Sequence, residues 1–240
     1  MTSEDRLAAG RVVLVGLFVT SLVTAQLTAS KILMFQLPFG LSLPHTGSAL
    51  VMPGAALAYA LTFFASDCYS ELYGRRAAQV MVNVGFAMTL VMLGLVYTTI
   101  EAPVAPFSPV GQEQFSRVLW SSANVVVGSL LAYVVSQNWD VLAFHALRER
   151  TDGAYLWLRN VGSTATSQAI DTVIFITVAF WAAPTFFGVG TANSLDQILG
   201  LLVGQYVLKL LIAVLDTPFV YGVVGAFRDR GLAAPNPASD

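Results

Sequence analysis

The chain has 240 residues, of which 56% are hydrophobic and 11% charged; a soluble domain is roughly 45–50% apolar and about 25% charged. A formal net charge of −2 with no basic tail excludes a nucleic-acid partner, and the single cysteine, Cys68, excludes an internal disulfide or a cysteine cluster. His45 and His145 stand far apart, so neither a metal nor another cofactor is expected.

In chain order, six stretches reach the roughly 20 apolar residues a helix needs to span a bilayer: 12–30, 48–66, 77–97, 119–135, 161–182 and 198–220. The polar start "MTSEDRLAAGR" runs straight into the first stretch without a small-residue cleavage site, so the first helix is expected to be retained. Pro38, Pro44, Pro103, Pro106 and Pro109 fall in connections. Pro53 and Pro218 fall inside the second and sixth segments and predict kinks or local unwinding. Nine of the twelve Lys and Arg residues lie at the termini or in the even connections, whereas "QLPFGLSLPHTGS", "IEAPVAPFSPVGQEQF" and "APTFFGVGTANSL" in the odd connections carry none, with Arg117 near the outer end of the fourth segment. This charge asymmetry predicts cytoplasmic termini. The expected fold is an all-α integral membrane protein of six transmembrane helices, one domain over 1–230, with a disordered tail over 231–240.

Ionisable groups in a membrane helix cost at least about 2.5–3.5 kcal/mol, so each calls for a partner or a purpose. Asn160, Thr164, Gln168, Asp171 and Phe175 recur at spacings of four, four, three and four, which is one helical face. Asp171 lies about 18 Å from Arg159 at the helical rise, near the bilayer midplane. On the sixth segment Gln205, Lys209 and Asp216 share a face, and Asp171 and Lys209 fall at similar depth, so they form either a structural pair or a substrate or proton site. The first segment carries Thr20, Thr24, Thr28 and Lys31 on one face and Ser21, Ala25 and Ala29 on another. The threonines suit helix packing as well as ligands; the small residues suit close helix approach, within the chain or across a homodimer. Asp67 and Glu71 share a face below Arg75 and Arg76. Glu71 can pair with Arg75 at i+4 and fix the loop, while Asp67 reaches toward the membrane interior. Tyr97, Trp120, Trp139, Trp157 and Trp181 fall near helix ends as interface anchors, and Trp139 and Trp157 become stacking surfaces if their loops fold inward. His145 reads as interfacial.

Four stretches together resemble the queuosine precursor transporter family, also called the vitamin uptake transporter family: "SDCYSELYGRRAA", "SQNWDVLAFHALRERT", "LWLRNVGSTATSQAIDTVIF" and "KLLIAVLDTPFVY". Gly162 departs from that pattern. The resemblance spans the second to sixth segments and implies an inner-membrane, multi-pass importer of 7-deazaguanines such as 7-cyano-7-deazaguanine and 7-aminomethyl-7-deazaguanine. Such a base offers a ring N–H beside an exocyclic NH₂, which one carboxylate can accept together. That role falls to Asp171, with Asp67 as substitute. Lys209, Gln168 or Asn160 would donate to the ring carbonyl, and Phe175 or Trp157 would supply an aromatic face. Thr164 and Asp216 complete the expected set, with Lys31, Thr24, Glu71 and Gln205 at its margin. The expected partners are this small molecule and membrane lipid, with alternating access around the site; coupling to protons is not required.

Three alternatives stand beside this reading. One is the substrate-binding subunit of a multi-part ATP-driven vitamin importer, or a carrier of another heterocyclic nutrient. A second is a half-size relative of the major facilitator proteins, against which six segments argue. The third, an intramembrane protease, lacks both the Gly-x-Ser-Gly turn and the His-Glu-x-x-His motif, so an enzyme is not expected.

Overall fold

The computed structural model describes residues 2–151, 156–188 and 191–232. Helix α1 (Ser3–Thr28) starts at a capping box, in which Thr2 and Asp5 exchange side-chain and backbone bonds of 3.1 and 2.8 Å. Strands β1 (Ile32–Gln36) and β2 (Ala49–Pro53) then form a two-stranded sheet. Helices α2 (Ala55–Tyr73) and α3 (Arg75–Glu101) follow, then α4 (Gln112–Arg150) and α5 (Leu156–Thr177). A π-helical turn (Val178–Ala182) leads into α6 (Ala183–Phe187), and α7 (Leu195–Asp229) completes the described fold.

The hairpin corrects the expectation of a helix from 48. Pro53 ends β2 instead of kinking a helix. Proline biases the residue before it toward extended backbone and donates no helical bond, so the apolar run begins as strand and turns helical only after Gly54. The Gly54 N–H returns to the Lys31 carbonyl at 2.6 Å and closes the base of the hairpin. Its tip is built from Pro38–Gly40 and a tight Leu43–Gly47 bridge, with Phe39 and His45 at positive φ. The hairpin rests on the first half of α7. A Cβ on Gly204 would collide with the Val51 carbonyl, and one on Gly200 would lie 2.7 Å from the Thr46 methyl. At the tip His45 Nδ1 meets Asp196 Oδ1 at 3.4 Å.

Among the described residues, five helices are long and apolar enough to cross a membrane: Glu4–Thr28, Arg75–Glu101, Gln112–Trp139, Ala165–Phe187 and Leu195–Asp216. Helix α2 has 19 residues but carries Asp67 and Glu71, and it is not among the five. Helix α4 extends well past the expected end at 135 and places Trp139 within a helix, not a loop. Helix α7 continues through Pro218.

The chain divides into two compact units. The first holds the chain up to Ile32, Pro53–Ala102 and α7 from Val207. Its core interleaves Leu14, Phe18 and Leu22 of α1 with Ala65, Cys68 and Leu72 of α2, Met81 of α3 and Val224 of α7. Ser21, Ala25 and Ala29 are buried here, so the small-residue face expected to serve close approach is covered within the chain. Gly74 joins α2 to α3 at φ +88°, a conformation that favours glycine. Around this joint the Tyr73 hydroxyl donates to the Leu232 carbonyl at 2.5 Å, and the Arg11 guanidinium lies 5.2 Å from the Tyr73 ring centroid.

The second unit holds Leu33–Met52 and Pro103–Tyr206. Here α4 packs along α5 and the π-helical turn. The turn shows the i→i−5 bond of its class, from Ala183 N–H to the Val178 carbonyl. Pro184 has no N–H for the Phe180 carbonyl. Asn193 satisfies that carbonyl instead, through its backbone N–H at 2.9 Å and its side-chain amide at 3.2 Å. The expected tail beyond 232 lies outside the described residues.

Candidate functional site

In the second unit the polar face of α5 meets α4. The Ser136 hydroxyl lies 3.4 Å from Asp171 Oδ1 and also 3.3 Å from the Tyr133 carbonyl. Asp171 is half-buried. One turn earlier, Gln168 Oε1 is buried and has no hydrogen-bond donor among the described residues. One turn later, Phe175 is buried and meets Phe180 edge to face, with ring centroids 6.0 Å apart. An amide oxygen, a carboxylate and an aromatic ring thus follow each other along one helical face.

Thr166 and Thr172 on the same helix return their hydroxyls to carbonyls four residues back, and Thr166 also accepts the Trp139 indole N–H at 3.1 Å. Trp139 is therefore tied to α5. The side chains of Trp157, Asn160, Thr164 and His145 lie outside the described residues. On the first half of α7, Gln205 is buried, and its Oε1 also lacks a donor among the described residues.

The first unit holds the remaining candidates. Lys209 is buried at 8% exposure. It and Asp171 fall in different units. Asp216 Oδ2 is buried without a hydrogen-bond donor among the described residues. Asp216 is among the residues that line a cavity of about 380 Å³, with Ala60, Leu61 and Phe64 of α2 and Ile212, Leu215 and Phe219 of α7. Asp67 on α2 is exposed. Glu71 does not pair with Arg75 as expected. It accepts from Arg228 Nη2 at 3.0 Å, so it ties α2 to the end of α7. Lys31 and Thr24 are exposed, and the Thr24 hydroxyl donates to the Thr20 carbonyl at 2.8 Å.

Two features escaped sequence reasoning. Ser136 belongs to a seven-residue series with Ser122 and Ser129 on α4, a periodicity visible in the sequence. Phe64 and Phe219 gain interest only when the fold sets them on one cavity.

The profile of the family described as "Putative vitamin uptake transporter" matches residues 53–223. A "Probable queuosine precursor transporter" of Bacillus subtilis (strain 168) is 34% identical over 164 residues, 68% of this chain and 67% of that protein. The "Queuosine precursor transporter" of Escherichia coli (strain K12) is 28% identical over 102 residues, 42% of each chain. No solved structure matches the chain.

Proposed function

The chain belongs to the vitamin uptake transporter family, and from that premise we propose that it imports queuosine precursors of the 7-deazaguanine class across the inner membrane. In this reading α2 supplies the sixth span, both termini are cytoplasmic, and access alternates about a site reached from either side. The observation that carries the reading is the α5 face, where Asp171 stands between a buried amide oxygen with no donor among the described residues and a buried ring. Ser136 donates to this carboxylate at 3.4 Å, and a carboxylate can accept the ring N–H and exocyclic amine of a deazaguanine together. Gln168 turns toward the same ligand, and Phe175 offers the aromatic face. The names of the two relatives support the substrate class.

The test is uptake of labelled 7-cyano-7-deazaguanine into proteoliposomes that contain this protein alone, with guanine and thiamine as competitors. Uptake that excess unlabelled precursor blocks and thiamine does not is the expected result. A folded, reconstituted protein that carries none would refute the reading and turn attention to a carrier that needs further subunits.

A further inference from the structure

The stretch "SELYG" at the end of α2 has no part in the α5 face, and the fold gives it another place. The start of α1, the joint between α2 and α3 and the end of α7 meet there, all within the first unit. Tyr73 is buried, and its hydroxyl donates to the Leu232 carbonyl just past α7. Two residues earlier, Glu71 accepts from Arg228 in the last turn of α7 at 3.0 Å. From α1, the Arg11 guanidinium lies over the Tyr73 ring. Gly10 is buried against the same point: a Cβ there would lie 2.5 Å from both the Tyr73 hydroxyl and the Leu232 carbonyl oxygen. The chain reaches Tyr73 by a turn at Gly231, which has φ +66°, and the Leu232 N–H closes that turn on the Phe227 carbonyl at 2.9 Å.

These contacts differ in strength. The Arg228 and Glu71 side chains are 51% and 56% exposed, and exposed ion pairs stabilise little. The fit of Gly10 under the Tyr73–Leu232 bond is closer and drier. A junction of so few contacts can favour one arrangement and still open, as a two-state element requires. In the proposed orientation Arg11, Arg75, Arg76 and Arg228 mark this junction as cytoplasmic. When a carrier opens to one side, the helix ends on that side part.

We propose that this junction is a cytoplasmic clasp: it holds the ends of α1, α2 and α7 together while the carrier is closed to the cytoplasm, and it parts when cargo leaves on that side. The proposal rests on the reading of the chain as a carrier, and on no assignment of a substrate-binding residue.

The experiment bridges the clasp reversibly. Glu71→Cys and Arg228→Cys are combined on a Cys68→Ser background in the full-length protein, and in proteoliposomes the pair is joined by a short thiol crosslinker that a reductant cleaves. Uptake of labelled 7-cyano-7-deazaguanine should fall about ten-fold or more on bridging and recover on cleavage, with binding kept within about three-fold. Bridged protein that carries cargo at the unbridged rate, or a pair that does not bridge, would overturn the clasp and leave the carrier reading intact. A folded Cys68→Ser parent that carries none would overturn both. A second measurement needs no bridge. Native Cys68 is wholly buried in the core between these helix ends. Tyr73→Phe removes the bond to Leu232 and keeps the ring, and it should speed labelling of Cys68 by a small neutral maleimide about three- to ten-fold. An unchanged labelling rate would overturn the clasp.

Discussion

Helices α1 and α5 carry polar stripes of nearly the same spacing, and the structure gives them different characters. On α1 the hydroxyls of Thr24 and Thr28 donate to the carbonyls of Thr20 and Thr24, each at 2.8 Å. Those donors are spent on their own helix, and all three threonines are exposed. On α5 the corresponding face carries Asp171, which reaches a hydroxyl on a different helix, and Gln168, whose Oε1 has no donor among the described residues. Spacing alone locates a face. The residue types decide whether that face closes on itself, because a short hydroxyl reaches the carbonyl four residues back, whereas a carboxylate has only acceptors.

Substitutions on the two stripes should therefore separate. The largest effect is expected from Asp171→Asn, which removes the charge and one of two parallel acceptors; uptake of 7-cyano-7-deazaguanine should fall about a hundred-fold with insertion and melting temperature retained. Uptake at the wild-type rate would dissolve the contrast between the helices. Gln168→Leu should raise the dissociation constant about ten-fold without loss of stability, since its oxygen bonds nothing among the described residues. A melting temperature that drops with it would mark Gln168 as structural. Ser136→Ala should weaken binding by about three-fold, because the contact it removes is long at 3.4 Å. Thr24→Val should leave uptake within about two-fold of wild type, and a loss as large as that of Gln168→Leu would show that the α1 stripe also faces substrate.

Much of this was readable along the chain, and what was not has a common cause. The apolar segments announced the helices, and the i+3 and i+4 pattern announced the α5 face. The hairpin was hidden because "SALVMPGAALAYALTFF" is apolar throughout. Pro53 followed by Gly54 was the signal that the helix begins late, and Gly200 and Gly204 form its seat on α7. Glu71 was matched to Arg75 because a partner at i+4 is local, whereas its actual partner, Arg228, is 157 residues away. The same holds for Ser136 and Asp171, which are 35 residues apart. Periodicity reports what one helix does with its own face; which second helix completes that face is a matter of packing.

The central claim, that the α5 stripe and not the α1 stripe meets the substrate, is tested most directly by protection from a thiol reagent. Single cysteines are introduced by Gln168→Cys and by Thr24→Cys on a Cys68→Ser background, and labelling is timed with and without saturating 7-cyano-7-deazaguanine. Slower labelling at position 168 and no change at position 24 is the predicted result. Protection at 24 with none at 168 would contradict it.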